Sequence, residues 1–239
     1  MQYWQERNLL TQQHLTNKTQ KQIEKQLVKY YSKSAENIIN SFANTYQKVL
    51  DRVAENELPT PADLYKLDAY WQMQGQLKQE LEQLGNKQYS LMFKHFTEQY
   101  IEIYNNIAIP SQAAYSTIDR KAAEQIINHI WCADGKSWSN RIWTNTNKLQ
   151  EALNDGLIDC VITGKPPTEL KEHLQSAFNV SYNNADMIVR TEISHIQTQA
   201  ARDRYIDYGI QEVEVWADKD ERRCKVCGNL HKKHFPIGG

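Results

Sequence analysis

The sequence predicts a mainly α protein built of long amphipathic helices, with a small α+β module of short strands and a Cys-x-x-Cys turn at its C-terminal end. Three observations predict it. Apolar residues recur at three- and four-residue steps over several long tracts. Proline and glycine clusters punctuate those tracts at only a few places. After Gly209 the apolar period changes from near four to two, and a segment dense in charge, cysteine and histidine follows.

The first tract predicts one helix from Thr16 to Glu55. Ile23, Leu27, Tyr30, Tyr31, Ile38, Phe42, Tyr46, Val49 and Val53 keep near one face. Lys18, Lys21, Lys25, Lys29 and Lys33 recur on roughly the opposite face. About forty residues at ~1.5 Å rise give a rod of roughly 60 Å, a length that suits a bundle or a partner-binding arm. Pro59 and Pro61 end it, because neither can continue the hydrogen-bond ladder. The same tract opens a second helix, with Thr60 as N-cap, Pro61 in the first turn and Asp63 at the positive end. Leu64, Leu67, Trp71, Leu77, Leu81 and Leu84 form its stripe, and Gly85 is a plausible C-terminal stop. A third helix carries Tyr89, Phe93, Phe96, Tyr100, Tyr104 and Ile107 before Pro110. These aromatic stripes read as packing between helices.

The stretch from Ser111 to Lys165 is more irregular. It holds a turn at Asp134-Gly135 and a helix capped by Ser139 that carries Ile142, Trp143 and Leu149. Gly164-Lys165-Pro166-Pro167 is a breaker. Thr168 and Glu169 then open a short helix through Leu174 and Phe178. A last helix, Asn184 to Tyr208, buries Val189, Ile193, Ile196 and Ala200 and ends at Gly209. In Glu212-Val213-Glu214-Val215-Trp216 valines alternate with glutamates, the pattern of a half-buried strand. The division this suggests is a helical region 1–110 that docks partners and a second domain 111–239.

Bulk properties narrow the function classes. A chain of 239 residues with 40% hydrophobic residues has material for one large or two small domains, and its mean hydropathy of -0.73 fits solvated helix faces. A net charge of -1 gives no global field toward nucleic acid or membranes, so any such contact needs a local patch. The opening MQYWQERNLL lacks the apolar core of a signal peptide, and no run approaches the ~20 apolar residues of a membrane span. The expectation is therefore cytoplasmic synthesis, no membrane contact and no small-molecule substrate. Four cysteines in such a chain are not a disulfide framework. Cys132 and Cys160 are expected to be small buried hydrophobes.

Candidate chemistry centres on the C-terminal end. Cys224 and Cys227, followed by His231 and His234, can present thiolates and imidazole to one zinc ion. Cys224, Cys227 and His231 are the tentative ligands, with zinc the cofactor they suggest. The spacing is cramped, since zinc fingers place a far longer loop between ligand pairs. A disulfide or redox pair, or plain structural thiols, remain open beside zinc. Arg222, Arg223 and Lys225 around the cysteines, like Lys18, Lys21, Lys25 and Lys29 on the first helix, could meet DNA phosphates or an acidic partner; solubility alone also explains them. Arg190-Thr191-Glu192 reads either as a polar cluster serving a site or as an ordinary helix start with Thr191 and Glu192 solvated or ion-paired. Glu212 and Glu214 share a strand face, and a Glu-x-Glu pair after an upstream arginine is similar to ADP-ribosyltransferases. The Ser-Thr-Ser strand those enzymes place between is absent, and a solvated strand face accounts for the pair.

From Trp131 to Phe235 the chain resembles the phage Mu F-like minor head protein family, also called phage head-morphogenesis proteins. The residues that carry the resemblance are Trp138-Ser139-x-Arg141-Ile142-Trp143, Gly164 with the helix after it, Arg190-Thr191-Glu192, Tyr208-Gly209-Ile210, Trp216, and Asp220-x-Arg222-x-Cys224-x-x-Cys227 with Leu230. They occur in family order at family-like spacing and span about half the chain. The resemblance implies a non-enzymatic protein of the phage or prophage head, located in the procapsid interior near the portal. Its implied partners are the portal protein, other head proteins and double-stranded DNA. Its implied role is to assist assembly, DNA packaging or DNA exit. The chain departs from the family after the cysteine pair, where Leu230-His231-Lys232-Lys233 replaces a Leu-Asp-Gly-Lys-like turn. The family's Pro-Pro-x-His-Pro-x-Cys-Arg-Cys segment does not follow either. With that segment would come the distal ligands of a zinc site, so Cys224 and Cys227 are expected to be half a site with weak or no zinc.

Overall fold

A computed structural model describes residues 3–53, 57–108, 117–217 and 224–237. The element order is α1 (Tyr3–Leu50), α2 (Pro61–Tyr65), α3 (Asp68–Asn106), α4 (Arg120–Ile127), α5 (Trp138–Thr163), α6 (Pro167–Asp207), β1 (Glu212–Glu214), α7 (Lys225–Leu230) and β2 (His234–Pro236). The protein is mainly α, with one small two-stranded sheet near its C-terminal end.

Four long helices build the core. α1 runs antiparallel to α3, as Thr16–Gln99, Ser34–Glu80 and Ser41–Gln76 hydrogen bonds require, and antiparallel to α6 through Thr16–Gln197 and Tyr31–Ser181. α5 is antiparallel to α3 and to α6, with Gln74–Asn154 and Asn145–Ser181 as markers. α3 and α6 lie parallel, joined by Gln99–Ile193 and Tyr100–Asp203. One buried cluster runs through all four, from Ile23, Phe42 and Tyr46 through Leu81 and Phe96 to Leu153, Phe178 and Ala200. Helices on both sides of residue 110 therefore share a single core. Among the described residues no helix is long and apolar enough to cross a membrane.

Local chemistry explains most boundaries. Thr60 closes a capping box with Asp63, as expected, but the helix it opens is only the five-residue α2; the chain restarts at Asp68 without a side-chain cap. α5 begins two residues earlier than expected: Ser137, not Ser139, caps it, in a reciprocal box with Asn140. Gly164 ends α5 in the left-handed region (φ 65°), where any Cβ is strained.

Several expectations are corrected. α1 starts at Tyr3 rather than Thr16, and Glu55 lies outside the described residues. Gly85 does not stop a helix; α3 passes through it for 39 residues. A Cβ there would stand 2.5 Å from Cζ3 of Trp143, so the glycine serves the close approach of α5 to α3. The irregular middle contains a 26-residue helix, α5. The two helices expected after Gly164 are one, the 41-residue α6. The tract between them, Asn179-Val180-Ser181-Tyr182-Asn183, propagates poorly by itself. It is held helical by packing: Ser181 is 3% exposed, and the Tyr182 ring meets Tyr31 edge to face.

Candidate functional site

Two groups of sequence-singled residues come together in space. The first surrounds the loop between α4 and α5. Gly135 adopts φ 68° and donates its N–H to the Cys132 carbonyl, closing the predicted turn. Trp138 is buried; its indole N–H donates to the Ile127 carbonyl (3.1 Å), and its ring stacks on Tyr89 and meets Phe96 edge-on. Arg141 places Nη2 at 2.9 Å from both carboxylate oxygens of Asp134. The Lys136 amide and then that guanidinium hold the Asp134 carboxyl below its ordinary range. Trp143 covers Gly85. Cys132 is half-buried beside Arg141 rather than sealed in the core, whereas Cys160 is buried as expected.

From this loop Trp131 reaches α6. Its indole N–H donates to Glu192 Oε2 (3.0 Å), and its ring lies 4.0 Å from the His195 ring at an interplanar angle of 10°. Glu192 is 3% exposed, which corrects the solvated helix-start reading: Arg190-Thr191-Glu192 sits inside α6, not at its beginning. Burial pushes the Glu192 carboxyl up, against the indole donor and the positive Arg141. Burial pushes the His195 imidazole down, with His129 adding to it and Asp203 opposing. Glu192, His195, His129, Trp131 and Ile127 line one narrow cavity. With the carboxyl covered by the indole, the arrangement acts as a clasp that fixes the α4–α5 loop on α6. Arg190 is exposed and pairs with Asp186 (2.7 Å) and Glu24 (3.9 Å), tying α6 to α1, while Thr191 faces outward.

The second group is the C-terminal module. β1 and β2 pair antiparallel, Val213 opposite Phe235, and the ladder continues through Val215 N–H to the Lys233 carbonyl (2.9 Å) and Lys232 N–H to the Val215 carbonyl (2.8 Å). Arg202 on α6 donates to the Ile237 carbonyl (3.0 Å), docking the hairpin on the long helix. Trp216 packs edge-on to His231, with Lys232 Nζ over its ring and its own N–H on Glu214 Oε2. Glu212 is exposed near His234 (3.9 Å), whereas Glu214 is partly buried on the Trp216 indole, so the two glutamates are separately engaged.

Cys224 and Cys227 are both exposed. Cys224 is the N-cap of α7: its Sγ accepts the Cys227 N–H at 3.3 Å. His231 turns away from them toward Trp216, and its Nδ1 accepts the Ala217 N–H (3.2 Å). The three tentative ligands are therefore not gathered on one point, and among the described residues no group of three or more His, Cys, Asp or Glu side chains could hold a metal ion. Asp220, Arg222 and Arg223 lie outside the described residues; Lys225 is exposed on α7. On α1, Lys21, Lys25 and Lys29 are exposed opposite the buried Ile23–Leu27–Tyr31 stripe, and Lys18 pairs with Glu102 (3.6 Å).

No known protein family, curated protein or solved structure matches the chain. Its interior must be understood from its own residues. Sequence reasoning missed the partnership of Trp131 with Glu192 and His195. The spacing of Glu192 and His195, three apart on a helix, was the available signal that both project to one side. It also missed a polar junction of four helices. The Tyr31 hydroxyl (α1) sits within 3.2–3.3 Å of Gln88 Oε1 (α3), Asn145 Nδ2 (α5) and both oxygens of Ser181 (α6).

Proposed function

We propose that this chain is a non-enzymatic minor head protein of a phage or prophage, which associates with the portal and assists head assembly, DNA packaging or DNA exit. The observation that carries the reading is the ordered series from Trp138 through Arg190-Thr191-Glu192 and Trp216 to Cys224 and Cys227. The fold supports it by giving distant parts of that series a shared purpose. Trp138, Arg141 and Glu192, more than fifty residues apart in sequence at their extremes, all brace the one α4–α5 loop. Residues joined in one packing device are expected to travel together in a sequence. The long bundle supplies extended outer faces for docking on a ring of subunits, and the exposed Lys21, Lys25 and Lys29 give one of them a positive stripe suited to DNA or an acidic partner.

The test is co-expression with the portal subunit of the same phage genome. Co-purification with the portal, and recovery of the chain in purified procapsids, is the expected result. A chain that fails to bind the portal and is absent from procapsids overturns the proposal. A Lys21→Glu, Lys25→Glu, Lys29→Glu variant separates the roles of the stripe: lost DNA retention at low salt with portal binding kept assigns it to DNA.

A further inference from the structure

We propose that Cys224 and Cys227 form a redox-active dithiol, which closes to an intramolecular disulfide by exchange with low-molecular-weight disulfides such as oxidised glutathione. The inference is independent of the head-protein reading and rests on the module alone.

The two thiols are treated differently from the other cysteines of the chain. Cys160 is 2% exposed and Cys132 half-buried, while Cys224 and Cys227 are both open to solvent. They flank the first turn of α7, three residues apart, a separation that brings Cβ atoms to roughly 5–6 Å on a helix and lets a small adjustment close the bond. Capping does not account for the pair. One side chain suffices for a cap, and serine or aspartate accepts an amide better than sulfur does. Cys227 caps nothing, yet the bond from its amide to Cys224 Sγ (3.3 Å) holds the two residues together. Metal binding does not account for it either, since His231 is engaged by Ala217 and Trp216 and no third donor joins the sulfurs among the described residues.

The geometry also assigns the roles. The Cys227 N–H points at Cys224 Sγ (3.3 Å) and favours the thiolate there, so Cys224 is the attacking sulfur and Cys227 the resolving one. The Cys224 thiolate attacks one sulfur of oxidised glutathione. The Cys224–glutathione bond forms as the S–S bond of glutathione breaks, and one glutathione thiolate leaves. Cys227 then loses its proton to solvent and attacks Cys224 Sγ, expelling the second glutathione. Two protein thiols are oxidised and one glutathione disulfide is reduced to two thiols.

The experiment uses the full chain, reduced and then held in oxidised glutathione with a chelator present. Free thiols are trapped by alkylation and mapped by mass spectrometry. The expected product is a Cys224–Cys227 disulfide, reversed by dithiothreitol, with Cys160 alkylated only after denaturation. Cys227→Ser should stop at a mixed disulfide on Cys224. In Cys224→Ser the adduct on Cys227 should form more slowly, on the order of tenfold. Absence of the intramolecular disulfide overturns the proposal, as do equal adduct rates in the two variants. Protein that purifies with zinc protecting both sulfurs from exchange overturns it as well.

Discussion

Removing one oxygen from the four-helix junction should cost more than removing any surface side chain of the bundle. Tyr31 is 4% exposed and Gln88 fully buried. In Tyr31→Phe, Asn145 Nδ2 keeps the Ser181 carbonyl at 2.8 Å, and Gln88 Nε2 keeps the Leu84 carbonyl. Gln88 Oε1 loses its hydroxyl donor, and Ser181 Oγ loses its tyrosine partner. Stranding buried polar groups in this way costs about 1–3 kcal/mol. The measure is the urea midpoint at unchanged m, with Tyr30→Phe as the control expected to stay within about 0.5 kcal/mol. A second readout follows from ionisation. Burial pushes the Tyr31 hydroxyl up to about 12, against the hydrogen bonds of Ser181, Gln88 and Asn145. The folded state then holds that proton between the unfolded value near 10 and about 12, where the unfolded chain releases it. Its contribution to stability is thus intact below pH 10 and lost progressively as pH rises from 10 to 12, on the order of 3 kcal/mol for two units. Tyr31→Phe should flatten this part of the alkaline unfolding profile. A variant as stable as wild type, with the same slope from pH 10 to 12, would refute the junction as a structural determinant.

Three other outcomes test neighbouring parts of the argument. Gly85→Ala drives a methyl to 2.5 Å from the Trp143 ring, so overpacking of about 1–3 kcal/mol should exceed the roughly 1 kcal/mol gain in helix propensity. Gly75→Ala, in the same helix with nothing within 4 Å of the new Cβ, should instead stabilise by about 0.5–1 kcal/mol; paired thermal melts decide, and equal shifts would dismiss the close-approach account. His195, whose folded value lies below the ordinary 6.5, binds its proton more readily when released, so the Trp131 clasp should loosen as pH falls below 6.5. Acrylamide quenching of Trp131 should rise there in wild type and not in His195→Phe, which keeps a ring and removes the charge. Glu192→Gln should retain the indole hydrogen bond and lose less stability than Glu192→Leu, which strands the Trp131 N–H; hydrogen exchange across 128–137 measures both.

Features decided within a few residues were legible in the sequence. Thr60-Pro61 and Asp63 make a cap wherever they stand, and alternating valine and glutamate at 212–215 gives a strand against almost any partner. Features decided by a distant residue were not. Gly85 reads as a stop until Trp143 occupies the space its missing Cβ leaves, and Asn179 to Asn183 reads as a break until Tyr31 packs on Ser181 and Tyr182. Gln88, Asn145 and Ser181 each pass for members of a solvated face and Tyr31 for one more member of an apolar stripe, because only their meeting shows that they satisfy one another. The same holds for the site. Spacing alone puts Cys224, Cys227 and His231 within reach of one ion, yet the fold engages His231 Nδ1 with the Ala217 amide and gathers no three such donors among the described residues.

Four polar motif groups hydrogen-bond inside the chain: Trp138 on Ile127, Arg141 on Asp134, Glu192 on Trp131, Trp216 on Glu214. Removing such a side chain breaks a bond that holds the loop or the hairpin. Substitutions there act on the fold before they report on any contact. A surface that can be altered without that penalty is elsewhere: Lys21, Lys25 and Lys29 are exposed along α1. A docking partner should therefore be sought by mutating these positions, with circular dichroism unchanged as the condition for reading the result.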